Sequence, residues 1–229
     1  MNTTNKKKAY TYKMKLAPAN ILCFAIMIGL YIVSVLLFGK GMAVFDKPFI
    51  LFVLIILYLM LHEFLHGVGY FIGGVKRSNI QYGIRLEKGI FYAMAYQELT
   101  KKNILISLQM PFMVIGVITY IISIIFNIPL LALLSIINIS GASMDLAMFY
   151  YISKLKDVTY SESGEPDEFV LISSEDLTKK KSLFLKIVNV KDYKKSDYEF
   201  PKQKKIDITK GSIIMIIAFL LLGLITSVL

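Results

Sequence analysis

The chain reads as an all-α polytopic membrane protein, with about five transmembrane helices and a β-hairpin between the second and third. Three observations carry that reading. Of its 229 residues, 56% are hydrophobic and 18% charged, and the mean hydropathy is +0.62. An average soluble domain uses about 45–50% apolar and about 25% charged residues, so a water-exposed fold of this size would leave too much apolar surface uncovered. Five apolar segments each approach the length of about 20 residues that a helix needs to cross a hydrocarbon core. Finally, the basic residues fall almost entirely on one side of the resulting topology.

The segments are 20–38, 49–73, 104–126, 130–152 and 211–229. The first exceeds the usual 7–15 residues of a signal-peptide core and has no small-x-small cleavage site, so it reads as a retained anchor. Pro111 is expected to kink the third segment without abolishing it. Pro129 stands where a first-turn proline would open the fourth. The chain then divides into a tail and first anchor (1–48), a membrane core (49–152), a cytoplasmic segment (153–210) and a C-terminal membrane helix (211–229).

Loop charges set the orientation. With five spans, 24 basic residues lie on one side and only Lys40 and Lys47 on the other. That asymmetry predicts a multi-pass protein of the cell membrane with a cytoplasmic N-terminus. It also accounts for the net charge of +10 through topology and anionic lipid, so nucleic acid is not an expected partner. The single cysteine, Cys23, permits no internal disulfide. The abundance of Ile and Lys suggests a bacterial source.

Residues 80–96 alternate with period two (Ile80, Tyr82, Ile84 and Leu86 against Gln81, Gly83, Arg85 and Glu87), turn near Lys88-Gly89 and resume with Ile90, Tyr92, Met94 and Tyr96. This is a β-hairpin pattern, and its edge is a place where an extended peptide could add. Within 153–210 an acidic stretch, 157–176, precedes a lysine-rich half expected to lie on the inner leaflet. No strand or helix is read there.

The second span contains His62-Glu63-Phe64-Leu65-His66. On a helix, positions i and i+4 share a face, so both imidazoles can reach one metal ion, with the glutamate beside its open position. There it can take a proton from a water and later return it to a leaving amine. These are the only two histidines, and an ionisable Glu inside a span costs about 2.5–3.5 kcal/mol by insertion scales. The alternative is a pair of helix-packing histidines with Glu63 facing a wet crevice.

A two-histidine site needs a third protein ligand, and the candidates are Asp145 and Cys23. His66 lies seven residues above Gly73, and Asp145 lies seven above Ile152 on a span running the same way. Both are then about 10 Å from the cytoplasmic end, whereas Cys23 is shallower. Depth favours Asp145, whose other reading is a buried aspartate bonded to Ser140, Ser143 or a helix end.

His62-Glu63-x-x-His66 in one span, with Asp145 two spans later behind Asn138-Ile139-Ser140-Gly141-Ala142-Ser143-Met144, resembles the site-2 intramembrane zinc metalloproteases. More closely it resembles the bacterial family described as putative zincin peptidases. The likeness covers 49–152. It implies Zn2+ as the cofactor, His62, His66 and Asp145 as its ligands, Glu63 as the catalytic base and Asn138 as a substrate-binding residue. It further implies hydrolysis of a peptide bond in a membrane protein or peptide near the cytoplasmic face. Site-2 proteases carry a glycine after the aspartate; here Gly141 precedes it and Leu146 follows. Two other readings stay open: a catalytically silent zinc-binding protein with an immunity, accessory or regulatory role, and a transporter component whose acids and histidines line an ion path.

Overall fold

The computed structural model describes residues 7–39, 48–85, 90–163 and 167–193. The expected span 211–229 and the hairpin turn near Lys88-Gly89 lie outside them. Strand β1 (Lys8–Met14) runs into helix α1 (Leu16–Phe38), which is followed by α2 (Pro48–Ile72). Pro48 opens α2, where its missing N–H costs nothing. Gly74, at φ +97, ends the helix: the Val75 amide reaches back to the Tyr70 carbonyl at 3.0 Å.

The expected hairpin is present as β2 (Ile80–Arg85) and β3 (Ile90–Ala95), in register from Ile80↔Ala95 to Arg85↔Ile90. A short strand, β4 (Leu99–Thr100), leads into α3 (Lys101–Pro111), whose N-terminus is capped by Thr100 accepting from the Asn103 amide. Pro111 acts through its missing donor: the next turns, Phe112–Ile118, widen to π geometry before α4 (Thr119–Ile125) resumes. The fourth expected span is not one helix. It consists of α5 (Pro129–Gly141) and α6 (Ser143–Ser153), bent by 46°. Ser140 Oγ donates back to the Ile136 and Ile137 carbonyls just before the break, a contact that competes with the helical ladder.

Among the described residues three helices, Leu16–Phe38, Pro48–Ile72 and Lys101–Ile125, are long and apolar enough to cross a membrane, and the bent pair makes a fourth if it is a single span.

The all-α expectation is overturned by a five-stranded antiparallel sheet of order β4-β5-β6-β1-β7, where β5 is Val158–Glu162, β6 is Glu168–Ser173 and β7 is Leu185–Asp192. The fold is mixed α/β. The tail supplies a strand, and the segment after the fourth span supplies three. The strands are short, and the longest apolar run among them, Phe169–Ile172 in β6, is four residues. Pairing Ala9 with Ile172 and Tyr10 with Leu171 joins residues more than 160 positions apart, beyond the reach of local pattern reading.

The sheet seats its inner face on the helix ends. Tyr10, Tyr12, Phe169 and Leu171 share one buried cluster with Tyr70 in α2's last turn, Val75 just beyond it, Ile104 and Leu108 of α3, and Tyr151 and Ile152 of α6. Tyr12 stacks on Phe169 with ring centroids 5.4 Å apart, and its hydroxyl meets that of Tyr151 at 2.7 Å. The beginning of α1, the ends of α2 and α6, and the beginning of α3 therefore all meet the sheet.

Candidate metal centre

Helical spacing puts His62 and His66 one turn apart on the buried face of α2. Two glycines on that side let α3 come close. A Cβ on Gly69 would lie 2.5 Å from the Ser107 Cα, and one on Gly73 would lie 3.0 Å from the Asn103 Cα. The close approach aligns the Ser107 carbonyl with His66 Nδ1 at 2.9 Å, while Ser107 Oγ donates to the His66 carbonyl at 2.9 Å.

His62 is fixed from α5. Asn138 Nδ2 donates to the Pro111 carbonyl at 3.0 Å, which turns Asn138 Oδ1 toward His62 Nδ1, 2.7 Å away. Gly116 makes room for this contact, since a Cβ there would meet Ile139 at 2.9 Å and Asn138 Nδ2 at 3.2 Å. A carbonyl oxygen can only accept, so each histidine donates from Nδ1 and keeps its Nε2 lone pair free. The π-helical turns that follow Pro111 and the Asn138 contact occupy the same place.

The break between α5 and α6 matters because it puts Asp145 in the first turn of a new helix, where a carboxylate is favoured by the exposed amides. Its Oδ2 lies 3.3 Å from His62 Nε2 and 3.5 Å from His66 Nε2, and the two Nε2 atoms are 3.1 Å apart. Zinc bonds of about 2.0–2.2 Å in a tetrahedron place ligand atoms about 3.3–3.6 Å apart. The two histidine–aspartate edges match one face of such a site, and the edge between the two Nε2 atoms, 3.1 Å, is slightly shorter. Two lone pairs and a carboxylate converging on a point also form the donor set that a divalent cation satisfies.

Residues 55–160 match the protein family described as putative zincin peptidase. The matched stretch runs from α2 to β5 and takes in the His-Glu-x-x-His turn, the hairpin, Asn138 and Asp145. It points to zinc-dependent peptide hydrolysis. No curated protein and no solved structure matches the chain.

Within the matched stretch, Glu63 projects from α2 toward β3. Its carboxylate interacts with His62, His66 and Asp145 and takes a hydrogen bond from the Ala93 backbone amide. The other strand partners agree with that direction. The Tyr96 amide bonds to the Asn79 carbonyl on the β2 side, so the alternate amides of Ala93 and Ala95 face the opposite edge. Asn138, expected to bind substrate, places its Oδ1 on His62 Nδ1 and its Nδ2 on the Pro111 carbonyl. Cys23, the rejected third ligand, lies on α1 and is absent from the His62–His66–Asp145 group.

Sequence reasoning missed Ser107, Tyr70, Ala93 and Glu162. Tyr70 carried a signal, being four residues past His66 on the same face. Glu162 shares a period-two face with Val158 and Tyr160, but the strand itself had not been read. Its carboxylate accepts from Tyr70 Oη at 3.2 Å and Tyr160 Oη at 3.1 Å, and from the Ala95 amide. Burial raises its pKa to about 7, against the hydroxyls of Tyr160 and Tyr70, which favour the ionised form.

A cavity of about 530 Å3 lies between α2 and β2, lined by Phe64, Gly67, Val68, Phe71, Arg77, Ile80 and Tyr82. These α2 positions lie on the side away from His62 and His66, so this cavity is separate from the histidine–aspartate cluster.

Proposed function

We propose that the protein is an intramembrane zinc endopeptidase that hydrolyses a peptide bond of a membrane protein or peptide near the cytoplasmic face. One observation carries the reading: three ligand atoms converge at tetrahedral spacing with a carboxylate, Glu63, directly beside them. His62, His66 and Asp145 hold the metal, and Asn138 and Ser107 set the two imidazole tautomers. Zinc in that position supplies Lewis acidity to a water and to the peptide carbonyl. Glu63 accepts the proton of the attacking water as its oxygen bonds to the carbonyl carbon. It then delivers that proton to the amide nitrogen as the C–N bond breaks, leaving a carboxylic acid and an amine.

The membrane setting rests on the apolar helices and on the charge asymmetry. The sheet gathers the N-terminal strand and the chain after α6 at one end of the helices, which supports an even number of crossings between them, with the sheet on the cytoplasmic side. The lipid bilayer is then the protein's solvent, and no nucleic acid is expected to bind. The hairpin lies against the HExxH turn, where it would hold an extended substrate. The two β3 amides nearest the centre already face Glu63 and Glu162, so strand addition at that edge would exchange those partners.

The test uses wild type and Glu63→Gln in nanodiscs, incubated with single-span bacterial membrane proteins and scored by mass spectrometry of the fragments. Cleavage by wild type and about a 10²–10⁴-fold loss in the variant, with zinc content equal, is expected. Equal zinc and no cleavage by either form would favour the silent zinc-binding reading.

A further inference from the structure

Glu162 sits just beyond the stretch that matches the zincin peptidases, on the inner face of the sheet, and it is 7% exposed. A carboxylate this deep needs partners. It has three, from three different elements: Tyr160 on its own strand, Tyr70 on α2 and the Ala95 amide on β3. Tyr70 is one helical turn beyond His66, and Ala95 is two residues beyond Ala93, whose amide bonds Glu63. On an extended strand, residues i and i+2 direct their amides to the same edge. The edge of β3 therefore turns two consecutive outward amides toward acids, one toward Glu63 beside the metal-ligand cluster and one toward Glu162 of the sheet. Tyr70 ties the same carboxylate to the helix that carries both histidines.

We propose that Glu162 is a positioning residue for this centre: by joining Ala95 to Tyr70 it sets the height of β3 over α2 and so places the Ala93 amide on the Glu63 carboxylate. The inference rests on the reading of Glu63 as the base, but its geometry is measurable without a substrate. The sheet is then a working part of the site and not merely an appendage. It contributes through Glu162, which reaches across the boundary between sheet and helices.

The test is amide hydrogen exchange on the zinc-loaded full chain in detergent, for wild type, Glu162→Ala, Glu162→Gln and Tyr70→Phe. Segment 90–96 should exchange about tenfold faster in Glu162→Ala, while β6 keeps its wild-type protection and zinc content is unchanged. Glu162→Gln retains an acceptor for the Ala95 amide and should restore most of the protection. Tyr70→Phe should give an intermediate value. Wild-type exchange at 90–96 in Glu162→Ala would overturn the proposal, as would a loss of protection spread equally over β6. If Glu162→Ala fails to fold, Tyr70→Phe decides: unchanged exchange at 90–96 there would overturn it. A wild type that hydrolyses no peptide would remove the peptidase reading and leave the exchange result standing, so the two failures are distinct.

Discussion

The Asn138 amide oxygen lies 2.7 Å from His62 Nδ1, and its amide nitrogen is bound to the Pro111 carbonyl at 3.0 Å, so the side chain cannot flip without losing both contacts. His62 is thereby held as the Nδ1–H tautomer with Nε2 facing Asp145. Asn138→Ala should lower zinc affinity about 10–100-fold, the usual cost of losing a partner that orients a ligand. Asn138→Asp, which keeps an acceptor, should lose less. Competition with a chromogenic chelator measures both; equal affinity in Asn138→Ala and wild type would refute the assignment.

Zinc stoichiometry tests the three ligands directly. Wild type is expected to hold one zinc per chain, and His62→Ala, His66→Ala and Asp145→Ala to hold none after dialysis. A full complement in Asp145→Ala would place the third ligand elsewhere. Elemental analysis of detergent-purified protein is sufficient.

The glycines of α2 differ in what a methyl group would strike. At Gly69 it meets the backbone of Ser107, whereas at Gly67 it meets the Tyr82 ring, which can rotate away. Gly69→Ala should therefore push α3 outward, break the His66–Ser107 bond and lower both thermal stability and zinc content, at a cost of roughly 1–3 kcal/mol. Gly67→Ala should leave zinc content intact. Melting curves and zinc analysis on the two variants distinguish backbone contact from side-chain contact.

Glu162 gives the fold a pH dependence of known sign. Its carboxyl is raised from an ordinary 4.5 to about 7, chiefly by burial. The protonated form is therefore the one the fold favours. The contribution is fully present below about pH 4.5 and is lost as pH rises through 7. Between pH 5 and 8, wild type should lose stability relative to Glu162→Gln, by about 3 kcal/mol in all. Parallel melting curves for the two proteins across that range would contradict it.

The site was more legible than the fold. His62, Glu63 and His66 announce themselves by helical spacing in a span, and Asp145 by equal depth from the same end. Equal depth is simplest for one straight helix from 130 to 152, and that helix is bent. The bend at Ala142 leaves the outcome intact because α6 still descends to the same end as α2. The tautomer-setting contacts were hidden for a physical reason: Ser107 acts through its backbone carbonyl, which every residue has, and Asn138 acts through a proline whose freed geometry only the folded helix reveals. The sheet was hidden because Tyr10 and Tyr12 sit in a strand too short and too lysine-flanked to stand out, with partners at Leu171 and Phe169 far along the chain. The hairpin, whose partners are near neighbours, was readable.

Strand β1 is not at the edge of its sheet but between β6 and β7. Strand β1 is made before α1 through α6 and its two partners after them, so on the membrane reading it can be captured only if it is still on the side where the chain emerges after α6. Were one helix to insert the wrong way round, β1 and β6 would end up separated by the bilayer and the hydrogen-bond ladder could not close. On the proposed membrane reading, sheet closure would depend on correct insertion of the helices, and because Glu162 belongs to β5, a misinserted chain would also lack the carboxylate that links the sheet to β3 and α2.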